Sequence, residues 1–557
     1  MCLIKIIFKR SLYVFLLVFL LVSCGVSKSL HDLPNISAYN NTIPERIKTS
    51  DSTFILGNNA LNKNKQGLWE LYVEGDPLER GLIIGSLTQE LFNKQEHIFL
   101  SKVNDIVPSK TKQALLRKFL AWFNRKMYLH VPEEFKAEIC GLSKYASSDF
   151  NNIADPYLRV LYLHGAHDIG HALKDLALVG CSSFASWGEK TEDGSLIIGR
   201  NFDFYAGDDF AKEKIIAFVN PTEGHKFMSV TWGGMIGVVS GMNEHGLTVT
   251  INAGKSKIPL IAKTPISILN REILQYASTI EEAVAIAKKR KVFVSESIFV
   301  GSAKDKKAII IEVSPENFGI YDVPNSNQLI CSNHFQSDPY SDDKKNIQHK
   351  NESHSQYRYL RMEELLAQQQ KITPQIAVDI LRNKEGLQNK KIGYGNEKAL
   401  NQLLAHHAVV FKPEQRLVWV SSNPYQLGEF VAYNLNEIFN NPTKKLLEST
   451  ALTIEKDTFQ FSKAYRDYEI YRDLSHQIKS SIKEGKAVSP ATISKLIKSN
   501  PDYWEAYYIT GMYYYKKGYL TASLNAFEKA KTKEITTVPD KRNANLYIKK
   551  LKRKLNL

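Results

Sequence analysis

Gly180-Cys181-Ser182-Ser183-Phe184, followed by Gly199-Arg200-Asn201-Phe202-Asp203, is the stretch on which the reading of this chain turns. A strand is expected from about Cys181 to Trp187. Thr191-Glu192-Asp193-Gly194 supplies turn chemistry, with Asp-Gly the strongest short hairpin signal. An apolar run then resumes from Ser195 to Gly199. Such a hairpin returns Arg200 and Asp203 towards Cys181. A guanidinium and a carboxylate beside a thiol is the environment a reactive cysteine needs.

A free thiol, with a pKa of about 8.5, is only a few per cent thiolate at neutral pH and needs a base. If the Gly180–Cys181 bond is broken, Cys181 gains an α-amine with a pKa of roughly 8, and one residue supplies both nucleophile and base. Gly180 suits this, because glycine tolerates the backbone geometry that attack on its own carbonyl requires. The competing reading of Cys181 is a packed, inert cysteine.

Cys-x-x-Phe followed by Asp-Gly-x-x-x-x-Gly-Arg-Asn-x-Asp resembles the start of the catalytic subunit in cysteine N-terminal-nucleophile hydrolases. The nearest branch is the penicillin acyltransferase-like autoproteolytic acyltransferases and hydrolases; bile salt hydrolases and acid-ceramidase-type amidases are more distant. Three further motifs follow in the family's order: Met242-Asn243-Glu244-x-Gly246-Leu247 with a strand ending in Asn252, Asn333-His334-Phe335 after a strand, and Ser355-x-x-Arg358 opening a helix. The resemblance implies that Arg200 lowers the thiol pKa or orients the nucleophile. It implies that Asp203 holds the new α-amine, that Asn252 and Asn333 serve the oxyanion, and that Arg358 is a second supporting cation. Each oxyanion donor is worth about 3–4 kcal/mol. Arg361 competes with Arg358, Asn201 reads as structural, and His334 is an alternative general base. No cofactor or metal is implied.

The chain has 557 residues, a formal net charge of +15, 43% hydrophobic and 24% charged residues. That length implies two to four domains of ordinary globular composition. The positive charge reads as a lysine-rich surface, and no nucleic-acid motif accompanies it. Five cysteines without metal-type spacing argue against a disulfide framework. Residues 1–24 combine a basic start, a twelve-residue apolar run from Ser11 to Val22, and Leu21-Val22-Ser23-Cys24-Gly25. This resembles a bacterial lipobox, implying lipidation of Cys24 and a lipid-anchored place in the cell envelope, on the periplasmic side or at the outer membrane.

Residues 25–66, rich in Asn and Ser, read as a flexible tether. Residues 67–180 form the expected prosegment, opening with a strand and then a helix capped by Asp76, Pro77 and Glu79. His164, His167 and His171 share one face of an expected helix over 156–175. They offer a metal site beside Asp168, or a polar seam packed near the active site. Residues 181–445 form the expected catalytic chain, with strand runs separated by helix runs. The class is α+β, and the resemblance implies a four-layer αββα sandwich over roughly 67–435. Residues 446–557 are helical, and Pro501–Lys531 resembles a tetratricopeptide helix pair, a fold that offers a groove for a protein partner.

The function these residues imply is cleavage of a linear, non-peptide amide C–N bond in a small N-acyl substrate, through an acyl-enzyme on Cys181. Transfer of the acyl group to another amine uses the same intermediate. The competing readings are a phospholipase-B-like esterase with no chain break, and an inactive binding or scaffold lipoprotein.

Overall fold

Strands such as Glu296–Ser302, Lys307–Val313 and His407–Lys412 are buried along nearly their whole length. Continuous burial of this kind belongs to sheets covered on both faces. The computed structural model describes residues 25–165, 168, 180–204, 207–257, 261–441 and 447–557, with the side chains of 102–106 excepted. Cys24 and its leader, His167 and His171 lie outside the described residues.

Two sheets stack face to face. The first has eleven strands, in the spatial order Ile47–Ser50, Thr53–Leu56, Asn59–Lys63, Trp69–Gly75, Ile215–Pro221, Phe227–Thr231, Ser240–Asn243, Leu247–Ala253, Glu296–Ser302, Lys307–Val313 and Phe318–Tyr321. Its neighbours are antiparallel except Trp69–Gly75 beside Ile215–Pro221, which run parallel with Trp69 opposite Ile215 and Gly75 opposite Pro221. The second sheet has six antiparallel strands, Gln328–Cys331, Ser182–Ser186, Ile197–Phe202, His407–Lys412, Leu417–Ser421 and Phe430–Asn434. Ile198, Phe218, Phe299, Val409 and Val420 fill the space between the sheets.

Helices Pro77–Leu87, Glu133–Ser143, Pro156–His164, Ile266–Tyr276 and Ile280–Lys289 cover the outer face of the first sheet. Ser355–Ala367 and Pro374–Leu381 cover the second. The result is an αββα sandwich. Pro77–Leu87 and Glu133–Ser143 cross so closely that a Cβ on Gly81 would lie 2.0 Å from the Glu138 carbonyl oxygen. Beside this crossing Arg80 Nη2 meets Glu138 Oε2 at 2.7 Å, and Arg271 Nη2 meets the same oxygen at 3.2 Å, all three side chains being buried.

A distinct all-helical region follows, with helices Lys463–Glu484, Pro490–Ser499, Trp504–Lys517, Leu520–Lys531 and Val538–Lys554. Its core of Tyr468, Tyr471, Ile478, Tyr503 and Trp504 also takes in Leu403 and Leu427 from the sandwich. Among the described residues no helix is long and apolar enough to cross a membrane.

The structure corrects the expected tether. Residues 47–63 form three antiparallel strands that extend the first sheet, and Phe54, Leu56 and Leu61 are buried in its core. Ser52 and Asn58 sit in turns and Asn59 is a buried polar residue opening a strand, so composition masked three short hairpin strands. Beyond the Asp76 cap, two helices divide at Thr88, Pro77–Leu87 and Gln89–Ile106.

Candidate active site

Ser182–Ser186 and Ile197–Phe202 pair with Ser182 opposite Asn201 and Ser183 opposite Arg200. Gly194 turns the chain at φ +77°, the left-handed region that glycine occupies at least cost. The hairpin delivers Arg200 Nη2 to 4.0 Å from the Cys181 Sγ. The guanidinium is fixed by the carbonyl oxygens of Val239 at 3.0 Å and Ile251 at 2.5 Å, and by the Ser240 hydroxyl.

Behind it runs a chain of buried groups. Ser240 Oγ lies 2.8 Å from His407 Nε2, and His407 Nδ1 lies 2.8 Å from His406 Nδ1. Arginine can only donate, so Ser240 accepts from Arg200 while its hydroxyl also contacts His407. Burial holds both imidazoles well below their ordinary pKa, so they are neutral behind the cation.

Arg358, on the helix Ser355–Ala367, approaches from the other side. Its Nη1 donates to the Cys181 carbonyl oxygen at 2.5 Å and to Ser182 Oγ at 2.9 Å; its Nη2 donates to Asn333 Oδ1 at 2.5 Å. Asn333 Nδ2 donates to the Ala253 carbonyl oxygen at 2.9 Å. Asn252, one residue before the end of the strand Leu247–Ala253, accepts from Ser183 Oγ at 2.8 Å and donates to the Cys331 carbonyl oxygen at 3.3 Å. Cys181, Arg200, Asp203, Asn252, Asn333 and Arg358, far apart in sequence, thus converge in one buried cluster. Arg361 instead bonds Asn383, Glu364 and Asn389. His334 meets Ser355 Oγ at 2.8 Å, and burial lowers its pKa to about 3. Asn201 donates to the carbonyl oxygens of Leu381 and Leu400, both at 2.9 Å, tying the hairpin that follows Cys181 to neighbouring segments.

The electrostatics are those of a dry site. Burial pushes the Cys181 thiol up to about 11, opposed by Arg200 and seconded by Asp203. Burial likewise pushes Asp203 up to about 7, against the pull of Arg358 and Arg200. The Gly180 N–H donates to the Asp203 carbonyl oxygen at 3.3 Å, so the residue before Cys181 is held by the carboxylate residue's own backbone.

Sequence reasoning missed three features. Gln402, in the segment before His407–Lys412, donates from Nε2 to the Gly180 carbonyl oxygen at 2.9 Å and to Asp203 Oδ2 at 3.2 Å. Glu296 opens its strand fully buried, its carboxyl driven well up by burial and by Asp168, against the pull of Arg200. The Ser240–His407–His406 chain is the third; two adjacent histidines entering an apolar strand were its only trace in the sequence. Of the histidine trio, His164 is buried, with Nδ1 at 2.8 Å from the Val160 carbonyl oxygen and Nε2 accepting from the Ile236 N–H at 3.0 Å. Asp168 Oδ2 accepts from the Ile266 N–H at 2.8 Å. Metal-type ligands gather elsewhere among the described residues: His225, Glu244 and His245 place one atom each within 4.8 Å of one another. They lie at the opposite end of Leu247–Ala253 from Asn252.

Residues 189–424 match the family described as acyl-coenzyme A:6-aminopenicillanic acid acyl-transferase. That span includes Arg200, Asp203, Asn252, Asn333, Arg358 and Gln402 and begins just after Cys181. The chain is 26% identical over 276 residues to an uncharacterized protein of Archaeoglobus fulgidus, covering 46% of this chain and 45% of that one. It is 24% identical over 271 residues to the protein dcd1B of Dictyostelium discoideum, covering 45% of this chain and 51% of that one. The chain therefore spans about half the length of the curated relatives it matches. Among solved structures, an N-acylethanolamine-hydrolyzing acid amidase ortholog from Caenorhabditis elegans is 18% identical, with a TM-score of 0.31, over 42% of this chain and 93% of that one. The C2A mutant of a conjugated bile acid hydrolase from Clostridium perfringens is 13% identical, with a TM-score of 0.30, over 46% of this chain and 93% of that one. Over residues 189–424, which lie within the layered fold and carry most of the cluster around Cys181, the chain is thus similar to that acyl-transferase family.

Proposed function

We propose that this protein is a self-processed cysteine amidohydrolase or acyltransferase acting on linear amide C–N bonds of small N-acyl substrates. The observation that carries the reading is the pincer on Cys181: Arg200 Nη2 at 4.0 Å from its sulfur and Arg358 Nη1 at 2.5 Å from its carbonyl oxygen. Cleavage of Gly180–Cys181 gives Cys181 an α-amine, and Asp203 orients it. The amine takes the thiol proton, and sulfur attacks the substrate carbonyl carbon. Each Asn side chain carries two amide N–H groups. Asn252 and Asn333 each spend one on a backbone carbonyl, and the other is assigned to the developing oxyanion. The C–N bond breaks, the amine leaves with the proton, and water or a second amine takes the acyl group from sulfur.

The leader supports anchoring in a bacterial envelope through a lipid on Cys24. The aromatic-rich helices over 504–531 support a tetratricopeptide-type pair that receives a protein partner.

Intact mass and N-terminal sequencing of the wild-type chain beside Cys181→Ala test the reading. Two fragments are expected from the wild type alone, the larger starting at Cys181, with release of amine and acid from N-acyl amides. A single uncut wild-type chain that also fails to react with a thiol-directed acylating probe overturns it.

A further inference from the structure

We infer that Gln402 is the oxyanion donor for cleavage of the Gly180–Cys181 bond, and that the C-terminal helical region holds it in place; this rests on the proposed self-processing at Cys181. Gln402 is 2% exposed, and its side-chain amide faces two acceptors, the Gly180 carbonyl oxygen at 2.9 Å and Asp203 Oδ2 at 3.2 Å. Two acceptors require the nitrogen side of the amide, which settles its orientation. A donor at about 2.7–3.1 Å from a carbonyl oxygen is placed to stabilise the charge that oxygen acquires under attack. This carbonyl is the one preceding the nucleophile, so the donor serves processing rather than substrate turnover.

The fit is close from the other side as well. A Cβ on Gly180 would lie 2.2 Å from Gln402 Nε2. Glycine is required here for the approach of the donor, independently of its backbone freedom.

The support for Gln402 comes from two directions. Leu400 is tied to Asn201 on the nucleophile hairpin, and Asn401 donates its N–H to the Asn383 carbonyl oxygen at 2.8 Å. Leu403 holds φ +53°, a left-handed conformation that branched side chains avoid, and is fully buried in the helical core with Tyr468, Tyr471 and Trp504. The Tyr468 hydroxyl donates to the Leu403 carbonyl oxygen at 3.4 Å. The residue after the donor is thus a peg in the C-terminal region.

Cys181 sulfur bonds to the Gly180 carbonyl carbon as the thiol proton passes to the Asp203 carboxylate, and the oxygen gains charge against Gln402 Nε2. The Gly180–Cys181 C–N bond breaks, Asp203 returns the proton to the departing nitrogen, and a thioester remains. One water hydrolyses it to a Gly180 carboxylate and a free thiol. The new carboxylate then faces Asp203 across the same amide, and repulsion between like charges moves it away from Cys181.

Pulse-chase of the full chain, following its conversion to the fragment 181–557, tests the assignment. Gln402→Leu removes the donor, and Gln402→Glu keeps the shape while replacing the donor by an acceptor. Each is expected to lengthen the precursor half-life by about 100-fold or more, as loss of one oxyanion donor does elsewhere. Gly180→Ala, which displaces the donor from the opposite side, is expected to act in the same direction. Thermal unfolding of each Gln402 variant in the uncleavable Cys181→Ala background is expected to stay within a few degrees of the parent, separating lost chemistry from lost fold. A wild-type chain that cuts while Gln402→Leu and Gln402→Glu cut at the same rate overturns this inference alone. A wild-type chain that never cuts overturns the self-processing reading with it.

Discussion

Arg358 shows what one side chain does when its geometry, rather than its charge, is what the site uses. Its planar fork spans Cys181 O, Ser182 Oγ and Asn333 Oδ1, three acceptors that a single ammonium cannot reach together. Arg358→Ala is expected to lower amide turnover per mature chain by about 100-fold, a loss of roughly 3 kcal/mol of transition-state stabilisation. Arg358→Lys is expected to recover less than a tenth of that loss. Arg361→Ala, three residues along the same helix, is expected to lower the melting temperature while leaving kcat within a few-fold. Steady-state kinetics on active-site-titrated enzyme checks all three. The contrast marks the reach of sequence at this scale. Cys181, Arg200 and Asp203 were legible because one hairpin with Asp193-Gly194 at its turn joins them. Arg358 was legible only through resemblance, since nothing local distinguishes it from Arg361. Gln402 was illegible: its role comes from a contact with Gly180, 222 residues away, and no periodicity marks it.

At the scale of elements, the segment Leu400–His406 is a bracket between two bodies. Asn201 holds one end, and the helical core holds Leu403. Leu403→Ala removes the peg and relaxes the reason for its left-handed backbone. It is expected to destabilise the fold by about 2–5 kcal/mol, as truncation of a buried leucine does, and to slow processing. Urea titration in the Cys181→Ala background reads the first effect and pulse-chase the second. The helices and most strands were readable here because their apolar spacing is regular, as in Ile280–Lys289 with its Thr279–Glu282 capping box. The strands over residues 47–63 were not, because each is four or five residues long and apolar burial rests on Phe54, Leu56 and Leu61 within a polar background.

Across the whole molecule, the buried group Arg80–Glu138–Arg271 joins the segment before Cys181 to the segment after it. Burial alone would push the Glu138 carboxyl up; Arg271 and Arg80 outweigh it and hold the pKa below its ordinary value. The unfolded chain therefore binds this proton more readily than the folded one. The contribution is complete above the unfolded carboxyl pKa of about 4.3 and is lost as pH falls through the folded value. Glu138→Gln is expected to cost about 3–5 kcal/mol at pH 7, because two buried guanidiniums lose their partner, and to flatten the fall in stability between pH 5 and 3. Urea midpoints of the uncleavable chain across that range check the sign. The parallel ladder between Trp69–Gly75 and Ile215–Pro221 lies mid-sheet and straddles the same divide. Under the proposed processing, a molecule that folded once as a single thread would come apart as two. Its reassembly would then be a second-order event, governed by the concentration of the halves, and heating would erase an arrangement that only fresh synthesis restores in full.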